Sequence, residues 1–283
     1  MDIIQTFTLD NYLFKGSFIS ADQTVNAIWN KHDYPKELKS IFAQSLLIAL
    51  ALSAGIKYQG VFSLQIKGDG PVSSLFIDVT TDQKVRGYMT FRSENENWEN
   101  KSTIKELFGN GQLIFSVVAL GQEPYQGIVA LTHDNLSETV KDYFRLSEQI
   151  ETELILRQQN DQTRCLLLQK MPDKKEVAAE ESADLWETVT VLMNSIRDDE
   201  LFSGSLTPND ILYRLFHEHA VMVFDPKTPV AECRCYRGKM ETFLKRMKPE
   251  ERVNLYNDKG EIETVCQFCG EKYTFSKTDL GDN

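Results

Sequence analysis

Four thiols close to the end of the chain set the tightest constraint on how it can fold. Cys233 and Cys235 stand one residue apart, and Cys266 and Cys269 follow in the run Val265-Cys266-Gln267-Phe268-Cys269-Gly270. Two close pairs of soft ligands on two short turns can fold together into one tetrahedral site of four sulfurs, the geometry zinc prefers. The aromatic and Gly residues around Cys266 and Cys269 suit a tight knuckle whose backbone N–H groups point at the sulfurs. Four unrelated buried thiols are a poor alternative, because four of the chain's five cysteines fall into the two pairs. Disulfides formed during secretion are a second alternative, weakened by the lack of an export signal.

The rest of the chain has room for one sizeable core. It has 283 residues, and a metal module of about fifty leaves enough for a single large domain. Apolar residues make up 41% and charged ones 26%, ordinary for a globular protein. The formal net charge of −11 repels polyanions such as nucleic acid. The segment 231–283 does not reverse this: it holds ten Lys plus Arg against ten Asp plus Glu. A zinc–tetrathiolate centre would add about two negative charges, which argues against a basic DNA-gripping finger. The opening Met1-Asp2-Ile3-Ile4-Gln5 lacks the basic and long apolar regions of a signal peptide. The longest apolar run, Leu46 to Leu52, is far shorter than the ~20 residues of a membrane span. A cytoplasmic location without membrane or nucleic-acid partners is expected.

Periodicity gives the fold class. Thr6 to Ser20 alternates polar and apolar residues and reads as a strand, followed by a mixed segment ending near Pro35. From Leu38, apolar residues recur at three and four (Ile41, Phe42, Leu46, Ala49, Leu50), which predicts a helix. Leu46 to Leu52 is apolar all round, so that helix belongs in the core. The period then falls to two: Phe62, Leu64 and Ile66; Leu75, Ile77 and Val79; Val85, Met89 and Phe91. Three strands joined by short turns make an antiparallel meander. Leu113 to Val118 and Tyr125 to Leu131, around a turn at Gly121 to Pro124, supply a further hairpin. Asn135 can cap a helix with Glu138 three residues on, its face lined by Leu136, Val140, Tyr143 and Phe144. Glu151 to Leu156 and Arg164 to Gln169 read as two closing strands. The expected class is α+β, an antiparallel-sheet core with a buried helix, a helical linker and a small C-terminal zinc-binding module.

Asp173 to Glu200 changes character, with nine acids and three bases. Leu185, Val189, Leu192 and Met193 still fall at helical spacing, so this is a thin amphipathic helix and not a plain tether. Ile211, Leu212, Leu215 and Phe216 repeat the pattern, and Pro226 and Pro229 mark a hinge into the final module. Other features read blandly. Gly68-x-Gly70 lacks the Lys-Ser/Thr and following helix of a phosphate loop and suits a hairpin turn. His217-Glu218-His219 lacks the HExxH spacing and suits a solvated or hinge-packed pair. His32 and His133 read as surface or turn residues, Cys165 as a buried, inert thiol. No Ser-His-Asp set stands out.

The spacing Cys-x-Cys, then Cys-x-x-Cys and the aromatic tail Glu271-Lys272-Tyr273-Thr274-Phe275 resembles the thirty-three-kilodalton heat-shock protein family, bacterial redox-regulated chaperones. Phrases along the body match the same family: Gln65-Ile66-Lys67-Gly68-Asp69-Gly70-Pro71, Val85-Arg86-Gly87-Tyr88, Gln126-Gly127-Ile128-Val129, Asp142-Tyr143-Phe144, Ser147-Glu148-Gln149 and Leu167-Leu168-Gln169. Arg214-Leu215-Phe216-His217-Glu218 matches the phrase before the zinc module. Tyr236 and Cys165 depart from the pattern, where small residues are expected. The resemblance implies one zinc per chain on Cys233, Cys235, Cys266 and Cys269 in the reduced, inactive state. It implies oxidation to the disulfides Cys233–Cys235 and Cys266–Cys269, zinc release, and unfolding of module and linker. It also implies an ATP-independent, non-enzymatic holdase that binds unfolded clients and dimerises when oxidised. The corresponding division is a core at 1–172, an acidic linker at 173–230 and a redox module at 231–283. Two other readings compete: a constitutive zinc-ribbon adaptor, disfavoured by the balanced charge, and a thiol–disulfide oxidoreductase using Cys266 and Cys269. The latter needs an exposed Cys at a helix start, whereas the residues before Cys266 read as strand.

Overall fold

The computed structural model describes residues 1–92, 97–119, 121, 123–172 and 178–282. Strands β1 (Ile3–Leu9) and β2 (Phe14–Ser20) form a hairpin in which Ile3 pairs with Ser20 and Leu9 with Phe14. The single strand expected over Thr6 to Ser20 is therefore broken at its middle. Asp10, Asn11 and Tyr12 turn the chain with φ of 47, 54 and 68°, left-handed conformations unmarked by any glycine. Helix α1 (Asp22–Trp29) fills the stretch read as mixed. Its start is capped from a distance: the Asp2 carboxylate accepts from the Gln23 and Thr24 amides at 3.0 and 2.6 Å.

Helix α2 (Lys39–Ala54) is the buried helix, with Leu46 through Ala51 wholly enclosed. Its serines satisfy themselves within it: Ser45 Oγ donates to the Ile41 carbonyl at 2.7 Å and Ser53 Oγ to that of Leu50 at 2.9 Å. The stretch Lys36–Ala54 is long and apolar enough to cross a membrane by composition, yet 72% of it is buried inside the protein. A core helix passes that test when it is enclosed on all sides.

The meander follows as β3 (Gly60–Lys67), β4 (Val72–Thr80) and β5 (Lys84–Phe91). After the short capped helix α3 (Ile104–Phe108) come β6 (Gln112–Ala119) and β7 (Tyr125–Ala130). Residue 122 of the expected turn lies outside the described residues. Gly68 and Gly70 shape the hairpin turn between β3 and β4, where a Cβ on Gly68 would meet the Phe108 carbonyl at 1.9 Å. Helix α4 (Leu136–Tyr143) is capped as expected, the Asn135 side chain accepting from the Glu138 amide. Strands β8 (Thr152–Gln159) and β9 (Gln162–Lys170) close the core.

Two sheets, not one, enclose α2. The first runs β9 between β8 and β2, with β1 beyond; the second runs β5-β4-β3-β6-β7. Alternation along β9 shows the consequence. Cys165 and Leu167 face α2, whereas Leu166 and Leu168 face outward into a second apolar cluster. The outer cluster is completed by three helices from the stretch expected to be a linker, α5 (Ala179–Asn194), α6 (Asp198–Leu201) and α7 (Pro208–Phe216). Phe216 stacks on Phe7 at 5.8 Å and Trp186 lies against Phe14 at 5.7 Å. The first five residues of the acidic stretch, 173–177, lie outside the described residues.

The segment read as a hinge is a strap across both sheets. Strand β10 (Met222–Val223) pairs antiparallel with β1, and β11 (Val230–Ala231) pairs parallel with β5. Between them Ile4 and Lys227 exchange both backbone hydrogen bonds, at 2.8 and 3.0 Å. The six-stranded sheet is thus not purely antiparallel, and the expected boundary at residue 230 falls inside β11. Beyond it lie α8 (Arg237–Arg246), α9 (Pro249–Val253), the hairpin β12 (Glu261–Val265) and β13 (Lys272–Ser276), and α10 (Lys277–Leu280). Among the described residues, this module's buried cluster is Leu244, Ile262, Phe275 and Leu280, with Met240, Met247, Tyr256 and Tyr273 partly buried against it, little apolar area to offset the entropy of ordering some fifty residues.

Candidate metal centre

Two turns bring the four thiols together. Cys233 and Cys235 sit between β11 and α8, and Cys266 and Cys269 at the tip of the β12–β13 hairpin. The knuckle closes because Cys269 and Gly270 both donate their amides to the Cys266 carbonyl, at 3.3 and 2.8 Å, with Gly270 at φ 72°. Glycine takes that conformation without steric cost. The four Sγ atoms all lie within 4.8 Å of one another. The shortest contacts run across the turns: Cys233 to Cys266 at 3.7 Å and Cys235 to Cys269 at 3.4 Å.

The surroundings favour charge on sulfur. Backbone amides of Cys235, Phe268 and Glu271 point at the sulfurs of Cys233, Cys266 and Cys269. The Tyr273 hydroxyl donates to Cys235 Sγ at 3.3 Å, and that bond holds the Tyr273 pKa well above its ordinary value. Burial pushes the Cys233 thiol up, but the Cys235 amide and the other sulfurs outweigh it and bring it down to about 7. Burial raises Cys266 and Cys269; Cys233 adds to the rise at Cys266, and the three other sulfurs add to that at Cys269. One negative charge is accommodated, and each further one is opposed by those beside it. A divalent cation is what lets four such sulfurs ionise together, and four thiolates at this spacing suit zinc.

Sequence reasoning placed the quartet but missed what surrounds it. The module is seated on the outer face of β4 and β5. Phe268, inside the knuckle, lies under the Arg86 guanidinium at 3.7 Å and edge-on to Tyr88 and Phe76, at 4.8 and 5.7 Å. Its carbonyl accepts from His32 Nε2 at 3.2 Å. Arg234, between the first two cysteines, donates to the Asp78 carboxylate, which also accepts from Arg86 at 2.7 Å and from Ser63 at 2.6 Å. Tyr273 belonged to the aromatic tail already singled out; nothing local to Asp78 or His32 marks them.

The remaining candidates fall where expected or nearly so. Cys165 is fully enclosed, and burial pushes its thiol far up. Tyr236 is 63% exposed at the start of α8. His219 is buried, 2.9 Å from Asp10, while His217 is exposed on the far side of the turn, so the two do not converge. His133 contacts Asp142 in a turn. His32 is also in a turn, but half-buried in the docking contact and not simply on the surface.

Comparison with known proteins covers the whole chain. A family model described as Hsp33 protein matches residues 2–276. The 33 kDa chaperonin of Proteus mirabilis (strain HI4320) is 30% identical over 285 residues, spanning 99% of this chain and 95% of that protein. That of Escherichia coli O7:K1 (strain IAI39 / ExPEC) is 32% identical, spanning 99% and 94%. The crystal structure of the Thermotoga maritima 33 kDa chaperonin superposes with a TM-score of 0.81 over 99% of this chain and 97% of that one. At 21% identity the last is a likeness of fold.

Proposed function

The chain belongs to the Hsp33 family of chaperones, and from that premise we propose that it is a redox-regulated holdase whose switch is the cysteine quartet. The carrying observation is four sulfurs within 4.8 Å inside a module with four buried apolar side chains. Such a module depends on its cross-link. Bound zinc would hold the sulfurs as thiolates, tie residue 233 to residue 269 and contribute about 10–16 kcal/mol of folding free energy. Thiolates are also the form that oxidants attack. Each pair gives two electrons to a peroxide, which takes up two protons and leaves as two waters, and the sulfurs cease to be ligands. Following the family, the pairs are Cys233–Cys235 and Cys266–Cys269. Loops this short constrain the unfolded chain by only about 2 kcal/mol in the entropy model. A long-range clamp is replaced by two local ones, and the module unfolds.

The linker follows, and the outer face of the five-stranded sheet with it, baring apolar surface that fits unfolded clients. The division into core, linker and module at 1–172, 173–230 and 231–283 belongs to this reading, as does dimerisation of the oxidised form. So does a reducing compartment such as the cytoplasm, where free thiols persist. The reading assigns no enzymatic step and no role for ATP. Zinc content, measured alongside aggregation of a chemically denatured client, tests it. Reduced protein should hold one zinc and protect poorly, and peroxide should release the zinc and switch protection on. Full zinc retention in Cys269→Ser, or equal protection in both states, would refute the reading.

A further inference from the structure

Each of the two cysteine turns sends one of its enclosed residues into the same socket on the core. Arg234 is the single residue between Cys233 and Cys235, and its guanidinium meets Asp78 on β4. Phe268 lies between Cys266 and Cys269, and its ring meets Arg86 and Tyr88 on β5. Phe268 is bound at three points. Its amide faces Cys266 sulfur, its carbonyl takes the His32 hydrogen bond, and its ring lies under the cation. Asp78 joins the two contacts, because the same carboxylate oxygen accepts from both Arg86 and Arg234, and its side chain is only 5% exposed.

We infer that Arg234 and Phe268 are positioning residues that lock the module on the six-stranded sheet, and that the lock and the metal site stabilise each other. The lock requires both turns in their metal-binding conformation, since a turn that opens carries its pin out of the socket. Reciprocity then follows: what metal binding adds to docking, docking adds to metal binding, by the same factor. On undocking Asp78 keeps Arg86 and Ser63, while the Arg234 ion pair and the stacking of Phe268 on Arg86 are lost together, so the docked and undocked states differ by both contacts. The inference rests on the zinc reading above and deepens it: a residue of the core sheet, touching no sulfur, sets the metal affinity.

Competition between the full-length reduced, zinc-loaded protein and a chromogenic chelator tests this. Asp78→Asn and Phe268→Ala should each weaken apparent zinc affinity by a factor within the usual range of coupling, roughly 5–150-fold. Phe268→Tyr, which keeps an aromatic face for Arg86, should retain near-parental affinity, and Phe268→Leu should not. Leu136→Ala, a cavity in the core away from the socket, serves as the control and should leave zinc affinity unchanged. Phe268 lies outside the core, so its variants keep the test decisive if Asp78→Asn folds poorly. Affinities of the Phe268→Ala and Phe268→Leu variants within twofold of the parent would overturn the inference and leave the proposed function standing. A parent chain that binds no zinc would sink both.

Discussion

Two residues show what burial does to side chains of ordinary chemistry. Cys165 is wholly enclosed between β9 and α2, and burial keeps its thiol protonated far above neutrality. A thiol that does not ionise neither attacks peroxide nor binds metal. Cys165→Ser should therefore leave zinc content and oxidative triggering intact while costing about 1–3 kcal/mol for the buried hydroxyl; loss of triggering would contradict its inert role. His32 is the opposite case, half-buried at the docking contact. Burial lowers its pKa below 6.5, helped by the charge of Lys31 and opposed by the carbonyls of Phe268 and Gly87. Between the folded pKa and 6.5 the unfolded chain binds the extra proton, so stability rises with pH there. The contribution is complete above 6.5 and is lost as pH falls through the folded value. An NMR titration of His32 should show a midpoint below 6.5, and His32→Gln should flatten the acid side of the stability profile. At this scale the quartet was legible because its spacing is local. The Arg234–Asp78 pair was not, since its partners lie 156 residues apart and nothing around Asp78 carries a signal.

Among the elements, the linker joins sequence pattern and function most directly. Its helical spacing was readable, and α5 and α7 form where expected. Val189 and Met193 are completely buried against the five-stranded sheet, whereas Leu185 and Leu192 are partly buried at the margin. The acidic face remains outward, and close acidic pairs on it cost a few tenths of a kcal/mol each. The helix is therefore held by its seam on the sheet more than by its own propensity. Replacing Val189 and Met193 by Ser should remove about 2–5 kcal/mol per large side chain and release the latch with zinc still bound, giving holdase activity without oxidant. Leu185 and Leu192, at the margin of the cluster, should matter less. Client protection that still requires peroxide in the double variant would count against the latch. Elements that escaped the sequence did so for identifiable reasons. The β1–β2 turn uses three non-glycine left-handed residues, and α1 takes its cap from Asp2, across the hairpin. The strap is two pairs of residues whose strand character comes wholly from their partners.

For the whole molecule, the question is how loss of one small module reaches helices seated elsewhere. The linker covers the five-stranded sheet, and the module's pins enter the six-stranded one. The covalent strap between them is paired at both ends: β10 to β1, which carries Phe7 of the linker's own cluster, and β11 to β5, which carries Arg86 of the socket. Two-residue pairings at sheet edges are weak in themselves, so the strap holds only while its ends are anchored. When the module unfolds, Arg234 leaves Asp78 and β11 loses its anchor a few residues away. The strap can then peel toward β10, exposing the edge of β1 and loosening α7 at Phe216. Under the proposed switch, heat or denaturant would complete the opening of α5, and activation should need both oxidant and unfolding stress. Hydrogen exchange on the reduced and peroxide-treated protein decides the route. Protection should fall first across 233–280, next across 222–231, and under mild warming across 179–216, while α2 and the strands of residues 60–119 stay protected. Uniform loss over the chain, or linker loss that precedes loss in the strap, would rule out this path of transmission.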